Sequence, residues 1–267
     1  MAEAGDRRHC LRAIFAEDAE LYDRARPGYP EALFDDIAAL AALRPGARVL
    51  EIGPGTGQAT LPMARRGYRV TAIELGQAMA AVARRNLAPF PNVAIHTAAF
   101  EDWPLPAEPF DLVFAATAFH WLDPEVRWRK AAAALRPGGS LAVIETVHVA
   151  AGDVDFFAAA QACYERWDPD TPPGFRCPAP DAVLDDPAEV DATGLFAPPA
   201  FRRYLREIPY TRGQFIDVLN TYSGHRALAP RRRAGLLACI GDLIDTRFGG
   251  SIRKGYLSRL MIARRLP

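Results

Sequence analysis

The stretch Val49-Leu50-Glu51-Ile52-Gly53-Pro54-Gly55-Thr56-Gly57-Gln58 joins a short apolar segment to three closely spaced glycines. An apolar run followed at once by glycines predicts a buried strand that turns into a loop able to approach a ligand. The glycines do not follow the G-x-G-x-x-G spacing that is typical of dinucleotide-binding loops. Glu51, two residues before the first glycine, would repel a pyrophosphate but attract an ammonium group.

A second apolar segment, Arg69–Glu74, ends in a carboxylate 19 residues beyond Gly55. An acidic residue at this place is typical of ribose recognition, because one carboxylate can accept hydrogen bonds from two vicinal hydroxyls. The loop and Glu74 together predict an adenosyl-type ligand that carries a cationic amino-acid tail.

Strands and helices alternate in the sequence that follows. Strands are predicted over 48–52, 69–74, 92–97, 110–116 and 140–146, with helices between them. This spacing indicates an α/β fold in which a parallel sheet is covered on both faces. Two later candidates, 201–210 and 252–264, could complete the sheet with one strand antiparallel to the rest.

Three composition changes divide the chain. Residues 1–47 are predicted to form a helical cap, and residues 48–150 with 201–267 are predicted to form the ligand-binding core. Residues 151–200 are interpreted as an insertion or lid that contributes to a substrate pocket. Prolines at eight positions between 168 and 200 exclude long helices and central strands there.

The overall charge excludes some classes of partner. The 267 residues include 32 Lys and Arg and 32 Asp and Glu, so the formal net charge is zero. Proteins that bind nucleic acid or anionic membranes need an excess of basic residues, which this sequence lacks. Only Lys130 and Lys254 are lysines, so 32 − 2 = 30 of the cations are arginine, a bias typical of G+C-rich, bacterial-like coding sequences.

The four cysteines, Cys10, Cys163, Cys177 and Cys239, form no CxxC pair. We therefore expect four reduced thiols and a cytoplasmic protein, with no metal site. No run of about 18 apolar residues is present, and the first residues lack the apolar segment of a secretory signal.

The successive motifs resemble those of the class I S-adenosylmethionine-dependent methyltransferases, in the branch that includes trans-aconitate methyltransferase-like and methyltransferase type 11 enzymes. The resemblance rests on VLEIGPGTG (49–57), TAIEL (71–75), FEDW (100–103), FDLVFAATAFHW (110–121) and LRPGGSL (135–141). It covers residues 12–146 well and the remaining tail more loosely. It implies a Rossmann-like, seven-stranded, mostly parallel sheet, S-adenosylmethionine as cofactor and S-adenosylhomocysteine as product.

The resemblance also implies which residues bind the cofactor. Glu51 and the first glycines would hold the methionine end, Glu74 the ribose and Leu75 the adenine. An N-terminal pattern of this branch, matched by Phe15, Tyr22, Arg26 and Tyr29, belongs to a helix that folds over the cofactor. The aspartate that many relatives place before position 100 is replaced by Ala99. The implied cofactor-binding residues are Tyr22, Arg26, Glu51, Gly53, Gly55, Gly57, Gln58, Glu74, Leu75, Phe100, Glu101, Ala116 and Thr117.

Histidines supply the candidates for catalysis. His120 follows the fourth strand, at the sheet edge where ligands bind, and titrates in the range that suits a general base. It is interpreted either as a base or positioning group beside the transferred methyl, or as a structural histidine. The candidate substrate-pocket residues are Trp121, His148, Tyr164, Trp167, Tyr222 and His225.

The sequence thus predicts methyl transfer to a small molecule. Oxygen is the expected accepting atom, and nitrogen and carbon are the alternatives. Two alternatives remain open: a non-catalytic adenosyl-cofactor-binding protein and an NAD-binding oxidoreductase. The expected assembly is a monomer or homodimer that binds neither nucleic acid nor membrane.

Overall fold

A computed structural model describes residues 18–267, and Cys10 and Phe15 lie outside the described residues. Seven strands form one sheet in the order β3-β2-β1-β4-β5-β7-β6, and the last strands are antiparallel to the others. The predicted Rossmann-like architecture is thereby confirmed. The strands in chain order are β1 (Arg48–Ile52), β2 (Arg69–Glu74), β3 (Val93–Thr97), β4 (Phe110–Ala116), β5 (Leu135–Gly152), β6 (Ala200–Thr211) and β7 (Ser251–Arg264).

Ten α-helices lie within residues 18–267, two before β1 and eight between the strands. Asp18 caps the first of them by accepting a hydrogen bond from the Leu21 N–H at 2.9 Å. The helices are α1 (Ala19–Ala25), α2 (Glu31–Leu40), α3 (Thr60–Arg65), α4 (Gln77–Leu87), α5 (Pro124–Ala134), α6 (Val154–Trp167), α7 (Ala188–Asp191), α8 (Arg212–Asn220), α9 (Ser223–Ala227) and α10 (Pro230–Arg247).

The parallel half of the sheet places a ligand-binding edge beside β1. β1 pairs in parallel with β2 on one side and with β4 on the other, and β3 and β5 extend the sheet outward. The chain therefore builds away from β1 in one direction and then reverses at β4. Such a reversal opens a crevice at the carboxyl ends of the two strands, where ligands of α/β sheets bind.

Both faces of this half-sheet are buried. Successive residues of a strand point to opposite faces, so Val49 and Leu50 enter different apolar clusters, as do Leu112 and Val113. All four side chains are 0% exposed. Burial of each contributes roughly 1.5–3 kcal/mol, which fixes the register of β1 and β4 and so the position of the loop that follows β1.

The chain forms two compact units, each built from several segments. The first, here the glycine-loop unit, comprises Pro27–Thr146, Asp185–Tyr204 and Ser258–Pro267. The second, here the helical unit, comprises the described residues up to Arg26, with Val147–Leu184 and Leu205–Leu257. Residues of the predicted lid, 151–200, are divided between the two units at Leu184, and the role of this segment stays a prediction.

The fifth strand is longer than the sequence indicated. The sequence predicts a strand over 140–146 and, from Arg136-Pro137-Gly138-Gly139, a turn that ends the preceding helix. In the structure, β5 begins at Leu135, which pairs with Phe110 across an irregular register. Further along, Gly138 donates a backbone hydrogen bond to Arg265, and Arg265 donates one to Gly139. The predicted turn is therefore strand, and His148 lies within β5 rather than in the loop after it.

The prediction of four reduced thiols is wrong for two of them. Cys163 of α6 and Cys239 of α10 form a disulfide within the helical unit, and Cys177 is a free thiol. The two cysteines meet because α6 and α10 pack along one another around a shared apolar cluster. Their separation of 76 residues left no local signal for this pairing.

The proline-rich segment behaves as predicted. Between residues 168 and 199 the regular elements are a short 3₁₀ turn at Pro180–Ala182 and the four-residue helix α7. Across residues 18–267, the helices fall short of the length and apolar character that a bilayer-crossing segment needs.

Candidate functional site

The loop after β1 takes backbone conformations that favour glycine. Gly53 has φ +67° and Gly55 has φ +58°, both in the left-handed region. A Cβ on Gly53 would lie 2.7 Å from the Ala118 Cβ, so the loop can approach the segment after β4 only without a side chain there. The Gly53 N–H donates to the Ile73 carbonyl at 2.9 Å, which ties the loop to the end of β2.

Gly57 is required by packing within the protein. Its φ is +94°, and a Cβ there would meet Leu87 Cδ1 of α4 at 2.8 Å. The predicted close approach is thus to the protein's own helix, and contact of Gly57 with a ligand stays a prediction. Gln58, half-buried, follows at the end of the loop.

Glu51 is a fully buried carboxyl group beside the loop, 0% exposed. Neither of its oxygens has a hydrogen-bond partner among the described residues. Burial raises the pKa of Glu51 to about 8, and the adjacent Thr60 hydroxyl offsets part of this rise without reaching hydrogen-bonding geometry. Nearby Glu74 raises the pKa further. An unsatisfied carboxyl group in such surroundings has a strong preference for a cationic partner.

Glu74 connects two backbone segments at the end of β2. One carboxylate oxygen accepts from the Gly55 N–H at 2.9 Å, and the other accepts from the Gly76 N–H at 2.8 Å. The side chain is 9% exposed. Since a carboxylate oxygen can accept more than one hydrogen bond, these two bonds to the loop do not by themselves exclude bonds from ligand hydroxyls.

The residues predicted to surround an adenine differ in exposure. Leu75 is 41% exposed at the end of β2, as an apolar platform for a ring would be. Phe100 is instead 1% exposed, and its ring lies 5.5 Å from Lys130 Nζ. The Phe100 side chain therefore packs in the core, while the carboxylate of Glu101 accepts a backbone hydrogen bond from Asp123 at 3.3 Å. Recognition of adenine by either residue stays a prediction.

The end of β4 carries a hydroxyl cluster beside Ala116. Thr117 has φ +56°, an uncommon conformation for a β-branched residue. Its N–H donates to the Ile144 carbonyl at 2.7 Å, and its hydroxyl lies 2.9 Å from the Tyr29 hydroxyl and 3.4 Å from that of Thr146. These bonds hold Thr117 in its strained position at the sheet's carboxyl edge. Tyr29, which the N-terminal pattern contained, is thus part of this edge.

His120 lies in the 3₁₀ turn Phe119–Trp121 that follows β4. Its imidazole is reached by solvent yet crowded by protein atoms, and this crowding lowers its pKa, against the opposing influence of Glu145. Trp121, half-buried, packs against it with ring centres 4.8 Å apart. Glu145 accepts two hydrogen bonds from the Arg259 guanidinium. His120 is therefore neutral near pH 7, the state a proton acceptor needs.

In the helical unit, two residues predicted to bind cofactor lie among predicted substrate residues. The Arg26 guanidinium carbon is 5.2 Å from the Tyr22 ring centre and 4.5 Å from that of Tyr222. Arg26 also donates to the Thr221 carbonyl at 3.1 Å. Since Tyr222 was assigned to the substrate pocket, the structure joins the two predicted sets at this point.

Four other pocket candidates also lie in the helical unit. The His148 ring is 5.4 Å from the Tyr222 ring, and His225 stacks on Tyr222 at the same separation. His225 Nε2 lies 3.2 Å from the Tyr164 hydroxyl. Trp167 stands apart, because its ring packs where a side chain on Gly235 of α10 would be. Trp167 is therefore a packing residue between α6 and α10, and the structure does not bring it into this ring cluster.

Comparison with known proteins identifies the family. A methyltransferase domain model matches residues 50–143. An uncharacterized methyltransferase of Anoxybacillus flavithermus is 30% identical over 145 residues, which span 51% of this chain and 67% of that relative. The chain belongs to the class I S-adenosylmethionine-dependent methyltransferases. An uncharacterized methyltransferase of Mycobacterium tuberculosis is 35% identical over 137 residues, 51% of this chain and 54% of the relative. The chain thus spans about half the length of the first curated relatives it matches.

Solved structures support the same methyltransferase fold. A chain described as a type II methyltransferase from Anaeromyxobacter dehalogenans aligns with a TM-score of 0.65 and 27% identity, over 91% of this chain and 99% of that one. Haemonchus contortus phosphoethanolamine N-methyltransferase 2, solved with S-adenosylhomocysteine, aligns with a TM-score of 0.53 and 15% identity, over 95% of this chain and 57% of that one. Membership of this family gives no support to the NAD-binding oxidoreductase that the sequence had left open.

Proposed function

We propose that the chain transfers a methyl group from S-adenosylmethionine to a small-molecule acceptor and leaves S-adenosylhomocysteine. The observation that carries the proposal is the fully buried, unsatisfied Glu51 carboxyl group beside a loop of left-handed glycines. The methionine end of the cofactor has the ammonium group that such a carboxyl group lacks. A dinucleotide would instead bring the negative charge of its pyrophosphate toward Glu51 and disfavour ionisation of the carboxyl group further.

The surrounding residues fit the other parts of the cofactor. Glu74 would accept hydrogen bonds from the ribose hydroxyls, and exposed Leu75 would cover the adenine. Ala116 and Thr117, at the end of the neighbouring strand, would lie beside the methionine amino group. When bound, the cofactor supplies a methyl group activated by a positively charged sulfur.

The chain's own part in the reaction is alignment and proton handling. Methyl transfer is an in-line displacement, so the protein contributes chiefly by holding the two reactants in one line and excluding water. If the acceptor is a hydroxyl, His120 would accept its proton, because the lowered pKa keeps the imidazole neutral. A nitrogen or carbon acceptor would use the same residue for positioning.

The zero net charge supports a small acceptor over nucleic acid. Across residues 18–267, no group of three metal-ligating side chains is arranged to hold an ion. We further propose that the enzyme acts as a monomer or homodimer.

Glu74→Ala tests the proposed cofactor site. We expect the variant to bind S-adenosylhomocysteine at least about tenfold more weakly by calorimetry, because it loses both the ribose contact and the tie to Gly55. Glu125→Ala removes an exposed carboxylate of the same unit and should leave affinity unchanged. Unchanged affinity in Glu74→Ala would contradict the ribose assignment.

A second assay separates the remaining alternatives. The wild-type chain is incubated with labelled S-adenosylmethionine and a broad panel of small hydroxyl, amine and carbon acceptors, and transferred label is counted. Binding without transfer to any acceptor would favour the non-catalytic adenosyl-binding alternative. Tight binding of NADH with no binding of S-adenosylmethionine would overturn the proposal.

A further inference from the structure

Lys254 of β7 is a buried lysine with no carboxylate partner among residues 18–267. Its side chain is 7% exposed, and its Nζ lies 4.6 Å from the Phe157 ring centre and 5.3 Å from that of Tyr256. Ring faces attract an ammonium group but leave its charge uncompensated. Burial lowers the pKa of Lys254 to about 8, so the charge is still present at pH 7 although the surroundings disfavour it.

A continuous row of groups connects Lys254 to a second cation within the helical unit. The Arg26 guanidinium lies 4.5 Å from the Tyr222 ring, His148 is 5.4 Å from Tyr222, and His148 is 5.9 Å from Tyr256. Solvent reaches the His148 side chain, although these rings surround it. An accessible side chain among buried neighbours lines a recess. We call the group formed by Arg26, His148, Tyr222, Lys254 and Tyr256 the cationic recess.

In the cationic recess, no carboxylate among the described residues balances the charge of Lys254. Although solvent reaches His148, desolvation by the surrounding protein atoms, together with Lys254 and Arg26, holds its pKa at about 3, so the imidazole is neutral. The charge of Asp168 acts to raise the pKa of His225 and of Tyr164, at the other end of the ring cluster. Among the described residues, no carboxylate contributes to the electrostatic surroundings of Lys254 or His148, and the ionisable group that acts on Lys254 is the free thiol of Cys177.

We propose that the cationic recess is an acceptor subsite that binds the carboxylate of a small aromatic acid. This inference rests on the proposed function, because it names the class of molecule that would receive the methyl group. The Lys254 ammonium would pair with the carboxylate. The Tyr222 hydroxyl, which is buried and faces that of Tyr256 without reaching hydrogen-bonding geometry, would donate to it.

Two observations favour an aromatic monocarboxylate. First, the recess contains one buried cation, Lys254, and a phosphate dianion would have to give up the hydration of a second charge without a second buried partner. Second, the walls are the rings of His148, Tyr222 and Tyr256, and flat rings gain most from stacked or edge-on contact with another ring.

Binding to the wild-type full chain is the first test. Benzoate, its neutral isostere benzamide, cyclohexanecarboxylate and phenyl phosphate are titrated separately at pH 7 by calorimetry. We expect benzoate to bind at least about tenfold more tightly than benzamide and more tightly than the other two. Equal binding of benzoate and benzamide, tighter binding of phenyl phosphate or of cyclohexanecarboxylate, or the absence of any binding below about 10 mM would each overturn the proposal.

Substitution of the lysine is the second test. Lys254→Met keeps the length and the apolar stem of the side chain but removes the ammonium group. The variant should bind benzoate at least about tenfold more weakly than the wild type. Arg232→Met removes an exposed cation from α10 of the same unit and should bind benzoate as the wild type does. Wild-type benzoate affinity in Lys254→Met would overturn the proposal. Far-ultraviolet circular dichroism establishes that each variant is folded, and the comparison of benzoate with benzamide needs no variant.

The two proposals fail in different ways. Each sample is also titrated with S-adenosylhomocysteine and assayed for methyl transfer. Lys254-dependent binding of benzoate without cofactor binding would refute the proposed function and leave an anion site. Methyl transfer to neutral acceptors that benzoate does not inhibit would refute the cationic recess and leave the proposed function in place.

Discussion

Glu51 of β1 and Lys254 of β7 are buried ionisable side chains of opposite charge, one in each unit. Glu51 lies beside a backbone loop, and its oxygens have no hydrogen-bond partner among the described residues. Lys254 lies among aromatic rings with no carboxylate near it in the described part of the chain. Burial shifts both groups toward neutrality, raising the pKa of Glu51 and lowering that of Lys254, each to about 8.

The contrast with other charged groups shows what these two positions have in common. Arg48 pairs with Glu108 at 2.7 Å, and Arg136 pairs with Asp111 at the same distance. These partially exposed charges thus have partners within the chain. A fully buried charge without one is costly, and such groups concentrate at functional sites. Glu51 is acidic and Lys254 is basic, and the two proposals give them ligand groups of opposite charge. Glu51 would bind an ammonium group, and Lys254 would bind a carboxylate.

The largest expected effect is on the pH dependence of stability at Glu51. Its folded-state pKa is raised from 4.5 to about 8, so between these values the folded state holds a proton that the unfolded state has lost. The wild type should therefore lose stability as pH rises through this window, by on the order of 4 kcal/mol from this group alone. Glu51→Gln should lack this loss, as urea unfolding at several pH values would measure.

Glu125→Gln is the matched control, because it removes an exposed carboxylate of the same unit. Its pH profile should follow that of the wild type. If the profiles of Glu51→Gln and the wild type run parallel from pH 4.5 to 8, the carboxyl group ionises normally and the contrast with Lys254 is lost.

Lys254 should show the opposite slope at higher pH. Its folded-state pKa is lowered from 10.5 to about 8, so in this window the unfolded state holds the extra proton. The wild type should gain about 3 kcal/mol from this group as pH rises from 8 to 10.5. Lys254→Met should lack this gain in urea unfolding. If the free energy of unfolding rises by the same amount in the variant, the rise does not come from Lys254. The lysine is then well solvated, and Lys254 is not a counterpart of Glu51.

A smaller effect is expected from the loop backbone beside Glu51. Gly53→Ala places a side chain at φ +67° and 2.7 Å from Ala118, so we expect a loss of about 2–3 kcal/mol in the free energy of unfolding. Gly213→Ala, where a Cβ meets nothing within 4 Å, is the control and should be neutral or slightly stabilising. Equal stability of the two variants would show that the loop can relax.

The glycine loop and its strand were predictable from local sequence. An apolar run that ends in glycines indicates both the burial of β1 and a left-handed backbone at Gly53 and Gly55. Glu74 followed because the end of β2 is set by the same pattern. These features depend on neighbouring residues alone, which is why the alternation of strands and helices was also predicted.

Features that depend on distant partners were not predictable in this way. The extension of β5 depends on bonds to Arg265, and the disulfide depends on the packing of α6 and α10. Lys254 was also not predicted as a site residue. One signal was present: it is one of two lysines in a chain with 30 arginines, and it lies in a strand predicted to be part of the sheet. Its burial among rings required the fold.

The division of the chain into segments has a consequence for dissecting the protein. Each unit is assembled from three stretches that are far apart in sequence, and β5, β6 and β7 each contain residues of both. No single contiguous fragment therefore contains either unit whole. A truncation that aims to isolate the glycine loop would remove strands that complete its sheet. A protease cut in the proline-rich segment would nick the molecule without releasing a complete unit, so the roles of the two regions are best separated by point substitutions.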